Sequence, residues 1–165
     1  MKKQKIIAIS GVKNSGKTTL ITRLIPHLKD RGIKIAVIKH DGHDFEPDVI
    51  GTDSYRYREA GAEEIAIFSK NKWMIIKEEK NIDESELISQ FPNADLILLE
   101  GFKFSDYPKV EIIRKEVSSM PITNPKTVIA YVSDHEKFNG KIKQFHLDDI
   151  EGLTDYLYNY IKYEQ

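Results

Sequence analysis

The stretch Gly11-Val12-Lys13-Asn14-Ser15-Gly16-Lys17-Thr18 constrains this chain more than any other. It satisfies G-x-x-x-x-G-K-[S/T] at every fixed position. Lys5–Ser10, just before it, is a short apolar run that reads as a buried strand. Lys17–Arg31, just after it, carries Leu20, Ile21, Leu24, Ile25 and Leu28 at helical spacing, with Gly32 placed as a stop. Strand, glycine-rich loop and helix together form a phosphate cradle. Glycines let backbone N–H groups close on the phosphates. The helix start adds free N–H groups and a partial positive charge. At an average glycine frequency of about 7%, chance produces the motif in such a chain on the order of 1% of the time. The loop therefore reads as a nucleotide-binding site formed by Gly11, Asn14, Ser15, Gly16, Lys17, Thr18 and Thr19. Lys17 is expected to reach the β- and γ-phosphates, Thr18 to ligate magnesium, and Thr19 to donate to the α-phosphate.

The remaining chain supplies further strands and helices in alternation. Ile33–Lys39 reads as a second buried strand, and His40–Gly51 as a loop. Ser54–Ala60 reads as a short helix stopped by Gly61. Ile65 and Ile67, then Trp73 and Ile75, flank a polar gap and predict a β-hairpin. Glu84–Phe91 predicts a helix capped near Asp83 and closed by Pro92. Leu96–Leu99, Lys109–Arg114 and Thr127–Val132 predict strands, and Ile150, Leu153, Leu157 and Ile161 mark a closing amphipathic helix. The expected fold is α/β, a layered, mostly parallel sheet flanked by helices with a hairpin extension. Residues 1–165 are expected to form one domain. Pro26 lies inside the first helical pattern, where it predicts a kink or a break.

Ligands of open α/β sheets bind outside the carboxyl ends of the strands. If the strands run parallel, Ser10-Gly11, Lys39-His40, Glu100-Gly101 and Ser133-Asp134 meet on one edge. Glu100 ends the aliphatic run Leu96–Leu99, where many phosphate-loop proteins hold magnesium through water. It is the candidate catalytic residue and, with Thr18, the candidate metal site; the alternative is a polar strand terminus. Asp95 opens the same strand and belongs at the far end. Lys39, His40 and His43 could contact a second, anionic ligand, could bind a metal with Asp41 and Asp44, or could be loop surface. Arg56 could face phosphate or solvent. Trp73 reads as hairpin core or interface.

Composition excludes several classes. The 25 basic and 26 acidic side chains leave a net charge of −1, which argues against nucleic-acid binding by bulk charge. With no cysteine, disulfides, thiolate zinc sites and cysteine nucleophiles are excluded. No apolar run approaches the ~20 residues of a membrane span. Ile6–Ile9 is too short for a secretory core of about 7–15 residues, so a cytoplasmic location is expected.

The chain resembles the molybdopterin-guanine dinucleotide biosynthesis protein B (MobB) family. The resemblance rests on Gly11–Thr19, on Ile38-Lys39-His40 with His43, and on Asp53-Ser54-Tyr55 through Ala60-Gly61-Ala62. It rests also on Leu96–Lys103 ("LILLEGFK") followed by Pro108-Lys109-Val110-Glu111, and on Asp148–Leu157. It implies GTP as nucleotide, a homodimer, and weak intrinsic GTP hydrolysis. It also implies an accessory role beside a separate guanylyltransferase that attaches GMP to molybdopterin. No Asn-Lys-x-Asp motif reads guanine here, so the preference for GTP rests on the resemblance. A small-molecule kinase is the alternative; such kinases use an Arg-rich lid, and no such segment is evident. A dimeric scaffold with a structural nucleotide is a third reading.

Overall fold

The structure is a computed structural model and describes residues 4–42, 45–138 and 140–163. Its contacts divide the chain into two compact units, Met1–His40 with Leu87–Gln165, and Asp41–Glu86.

The first unit is built on a six-stranded sheet. Its strands are β1 (Lys5–Ser10), β2 (Ile35–Lys39), β5 (Leu96–Glu100), β6 (Lys109–Ile113), β7 (Val128–Ser133) and β8 (Lys143–Phe145). The order is β2-β5-β1-β6-β7-β8 and every pairing is parallel. Strands buried on both faces should read as continuous aliphatic runs, and β5 does: all five of its residues are buried. Successive side chains alternate between faces. Ile7, Ile9, Leu96, Leu98, Val110 and Ile112 share one core with α1 (Lys17–Asp30) and α4 (Ile150–Tyr163). Ala8, Ala36, Ile38, Ile97 and Leu99 form a smaller core on other partners, among them Ile88, Phe102 and Tyr107.

Helices α1 and α4 dock through leucines. Leu24, Leu28 and Leu157 are fully buried, and burying each contributes about 1.5–3 kcal/mol. Pro26 does not break α1, which is helical from Lys17 through Asp30. Proline removes the donor that the Thr22 carbonyl would take. Thr22 and Pro26 are both exposed, so water can serve that carbonyl while Leu24 and Leu28 anchor the turns on either side. Gly32, at φ +77°, ends the helix: its N–H and that of Ile33 return to the Lys29 and Leu28 carbonyls.

The second unit holds α2 (Asp53–Glu59) and an antiparallel pair, β3 (Glu64–Phe68) and β4 (Trp73–Lys77). Thr52 caps α2 by accepting from the Tyr55 N–H at 3.3 Å. Arg58 pairs with Glu46 and, at 3.5 Å, with Glu78. Trp73 is not hairpin core: it stands opposite Phe68, and the two are 73% and 83% exposed. Helix α3 (Glu84–Ser89) leads back to the first unit, and Asp83 caps it by accepting from the Ser85 N–H at 2.9 Å. Strand β8 had no signal in the sequence, being three residues long and only half-buried.

Candidate functional site

Parallel strands bring their carboxyl ends to one edge, and β1, central in the sheet, delivers the glycine-rich loop there. The loop needs its glycines. A Cβ on Gly11, at φ +142°, would lie 2.6 Å from both the Ile112 carbonyl oxygen and Ser15 Oγ. Gly16 takes the left-handed conformation at the helix N-cap, at φ +97°. Asn14 is also left-handed, with φ 62°, a conformation that asparagine tolerates better than most residues. Ser15 is fully buried, and its Oγ has no hydrogen-bond partner among the described residues.

Two side chains meet across the β1–β5 pair. Thr18 Oγ1 donates to Glu100 Oε1 at 2.7 Å. Glu100 is buried, and its register partners are Ile9 on β1 and Lys39 on β2. Ser10 Oγ donates to the Gly101 carbonyl at 2.9 Å, and the His40 N–H donates to the Glu100 carbonyl at 3.2 Å. Both contacts tie neighbouring strand ends together. Past Glu100 the backbone is left-handed at Gly101 and at Phe102, the latter with φ 48°. Non-glycine residues in this conformation are uncommon and cluster at functional segments. The Phe102 ring lies 5.7 Å from the His40 ring.

Lys17 reaches back over the loop, donating to the Val12 carbonyl at 2.7 Å and the Gly11 carbonyl at 3.2 Å. Burial lowers its pKa, Glu100 opposes that shift, and the nearby charges of Lys103 and Lys39 add to it. Three ammonium groups thus share a field with one carboxylate, an arrangement suited to a polyphosphate carrying a hard cation. The oxygens of Thr18 and Glu100 are of the type magnesium takes, so these residues fit that ion.

The other expected site residues divide. Lys39 and His40 stand at this edge and are exposed. His43 and Asp44 lie outside the described residues. Among the described residues no cluster of three His, Cys, Asp or Glu side chains could hold a metal. Asp95 sits at the far end of β5, where Oδ2 accepts from the Lys34 N–H at 2.9 Å. Asp134 at the end of β7 accepts from the Lys115 N–H at 2.8 Å, which gives it a loop-holding role. Arg56 ends up in the second unit, on the last turn of α2.

Two residues were missed. Arg114 follows β6, lies beside Gly16, and lines a cavity of about 220 Å³ next to the loop. Like the four groups gathered above it follows a strand, but its place beside Gly16 depends on β6 pairing with β1. Lys109 is fully buried, and its ammonium donates to the Ser105 carbonyl, to Ser105 Oγ at 3.2 Å and to the Tyr107 carbonyl at 2.8 Å. It thereby pins the segment that follows Glu100-Gly101. No sequence pattern announces a buried lysine of this kind.

A parallel sheet with a glycine-rich phosphate loop at the end of its central strand defines a P-loop NTPase-like protein. Residues 6–134 match the family described as molybdopterin guanine dinucleotide synthesis protein B, MobB, and the chain belongs to that family. It is 35% identical to the molybdopterin-guanine dinucleotide biosynthesis adapter protein of Escherichia coli (strain K12), over 95% of this chain and 93% of that protein. It is 33% identical to the probable adapter protein of Bacillus subtilis (strain 168), over 87% of this chain and 86% of that one. The crystal structure of Bacillus subtilis MobB superposes with a TM-score of 0.79 at 31% identity, covering 97% of this chain and 99% of that one.

Proposed function

We propose that this chain is a GTP-binding accessory protein of molybdenum-cofactor biosynthesis, assisting a partner guanylyltransferase that attaches GMP to molybdopterin. The adapter role is carried by the relatives' names. Nucleotide binding is carried by one observation: Lys17 and Thr18 of the Gly11–Thr18 loop stand beside Lys39, Lys103 and Glu100. Lys17 turns from the Gly11 and Val12 carbonyls to the β- and γ-phosphates. Thr18 and Glu100 would hold magnesium, which would supply positive charge against the phosphates. Glu100 would orient a water, and intrinsic GTP hydrolysis is weak, as the family resemblance implies. The protein works in the cytoplasm as a homodimer.

Lys39, His40 and His43 take a second anionic ligand, the molybdopterin phosphate or the partner that carries it. Lys39 and His40 stand at the same edge as the phosphate loop, and a cation beside an imidazole suits an anion. The test is guanylylation of molybdopterin by the purified transferase, with and without this chain, alongside GTP titration with and without magnesium. Stimulation that requires GTP-loaded protein is expected; an unaltered rate refutes the accessory role. His40→Ala with His43→Ala should spare GTP affinity and lose stimulation, and full stimulation by that variant refutes the second-ligand site.

A further inference from the structure

We propose that the cavity on the β6 side of the phosphate loop receives the base and ribose of the bound nucleotide, and that Asp148 selects guanine there. This rests on the triphosphate reading above and adds to it the direction in which the nucleotide lies and the group that reads its base.

The direction follows from the strand order. β5 and β6 flank β1 on opposite sides. Glu100 ends β5, and Thr18 leans to it through a 2.7 Å hydrogen bond, with the Lys39 and Lys103 charges on Lys17 from that side. The terminal phosphates and their cation belong there. The opposite flank of the loop, at Gly16 and Thr19, opens into the cavity of about 220 Å³ beneath Arg114. A nucleotide whose γ-phosphate faces Glu100 and whose α-phosphate meets Thr19 has its nucleoside at that mouth.

The cavity has the chemistry for a purine. Leu20, Val132 and Leu147 give it apolar walls for the flat faces of a base. Arg114 offers a buried Nε with no hydrogen-bond partner among the described residues, and the Ser15 Oγ on the same wall is likewise unpartnered. Buried donors of this kind lack an acceptor that a ligand can supply. Asp148 is the single carboxylate lining the cavity among the described residues. Guanine offers two donors on one edge, N1–H and the 2-amino group, and a carboxylate accepts both. Adenine offers a lone pair at N1 on that edge, which a carboxylate repels. Arg23 secures the segment carrying Asp148, donating to the Leu147 carbonyl at 3.2 Å and lying 3.6 Å from Asp148 Oδ1.

The experiment is calorimetry with GTP, ATP, xanthosine triphosphate and inorganic tripolyphosphate, each with magnesium. Wild-type protein is expected to prefer GTP over ATP by about 10- to 100-fold, the discrimination typical of a bidentate base contact. Asp148→Ala should erase that preference and leave tripolyphosphate affinity unchanged. Asp148→Asn should turn it toward xanthosine triphosphate, whose 2-oxo group accepts from the amide. Leu147→Trp, which fills the cavity, should weaken GTP and ATP alike and spare tripolyphosphate. A GTP preference unchanged in both Asp148 variants overturns the role of Asp148. Unchanged GTP affinity in Leu147→Trp overturns the cavity assignment. Both results leave the phosphate loop intact as a site, whereas failure of wild-type protein to bind tripolyphosphate or any nucleotide overturns this inference and the triphosphate reading together.

Discussion

Replacing Gly11 by alanine separates two costs that the phosphate loop imposes. The first is conformational. At φ +142° an L side chain is strained whatever the space around it, and such strain costs roughly 1–3 kcal/mol. The second is steric. The new methyl would lie 2.6 Å from the Ile112 carbonyl oxygen and from Ser15 Oγ. One is backbone in the sheet and the other a fully buried side chain, so neither can swing away. Forcing an extra carbon into a packed site adds about 1–3 kcal/mol. Together these predict a loss of about 3–4 kcal/mol. Gly32 supplies the control: φ is +77° and nothing lies within 4 Å of a Cβ there, so Gly32→Ala carries the conformational cost alone, roughly 1–2 kcal/mol. For a chain of this size 1 kcal/mol moves Tm by about 2–4 °C. Gly11→Ala should then lower Tm by about 10 °C and Gly32→Ala by about 4 °C, read by calorimetry without nucleotide. Equal losses in the two variants would refute the steric half of the reasoning, and no loss in either would refute both halves.

Lys17→Ala should keep the fold, because the Lys17 ammonium donates to two carbonyls of its own loop and not into the core; triphosphate affinity should fall by about 1.5–3 kcal/mol in a titration. Glu100→Gln should raise the magnesium needed for half-maximal hydrolysis while nucleotide affinity stays nearly constant; an identical magnesium titration would return Glu100 to a purely structural role. Lys109→Met should cost about 3 kcal/mol in urea unfolding, since the Ser105 and Tyr107 carbonyls lose their buried donor. Burial lowers the Lys109 pKa from the ordinary 10.5, against the opposing charge of Asp106. In the alkaline window below 10.5 the unfolded chain therefore holds the extra proton, and this group's contribution to stability rises with pH. Lys109→Met should flatten that part of the profile, and an unchanged slope would count against the shift. The dimer should read as twice the chain mass by light scattering, and Phe68→Ser with Trp73→Ser should halve it; a wild-type monomer refutes the proposal.

Legibility followed the range of the interactions. Strand, loop and α1 were readable because their signals are local: an apolar run, glycines at fixed spacing, and leucines and isoleucines recurring at helical spacing. Glu100 was readable because it ends an unbroken aliphatic run, and its bond to Thr18 across the sheet agrees with the shared edge inferred from parallel strands. What depends on register was not readable. Arg114 gains its place beside Gly16 only because β6 neighbours β1. Lys109 is a charged residue by composition, and only the turn at Ser105–Tyr107 supplies the carbonyls that let it be buried. β8 is too short for alternation to show. Pro26 marks the limit of local rules in the other direction: of the kink or break expected there, the break does not occur, with Leu24 and Leu28 packed on either side.

The central position of β1 also sets a timetable for biosynthesis. Its residues pair with Leu96–Glu100 on one side and with Lys109–Glu111 on the other. The loop at its end leaves the ribosome about ninety and a hundred residues ahead of the two strands that flank it. At about 5–20 residues per second that interval is on the order of 5–20 s. Through it, the phosphate loop has neither the Ile112 carbonyl beside Gly11 nor the Glu100 carboxylate beside Thr18. Until the middle of the sheet closes, the loop lacks the partners that hold it in the folded chain.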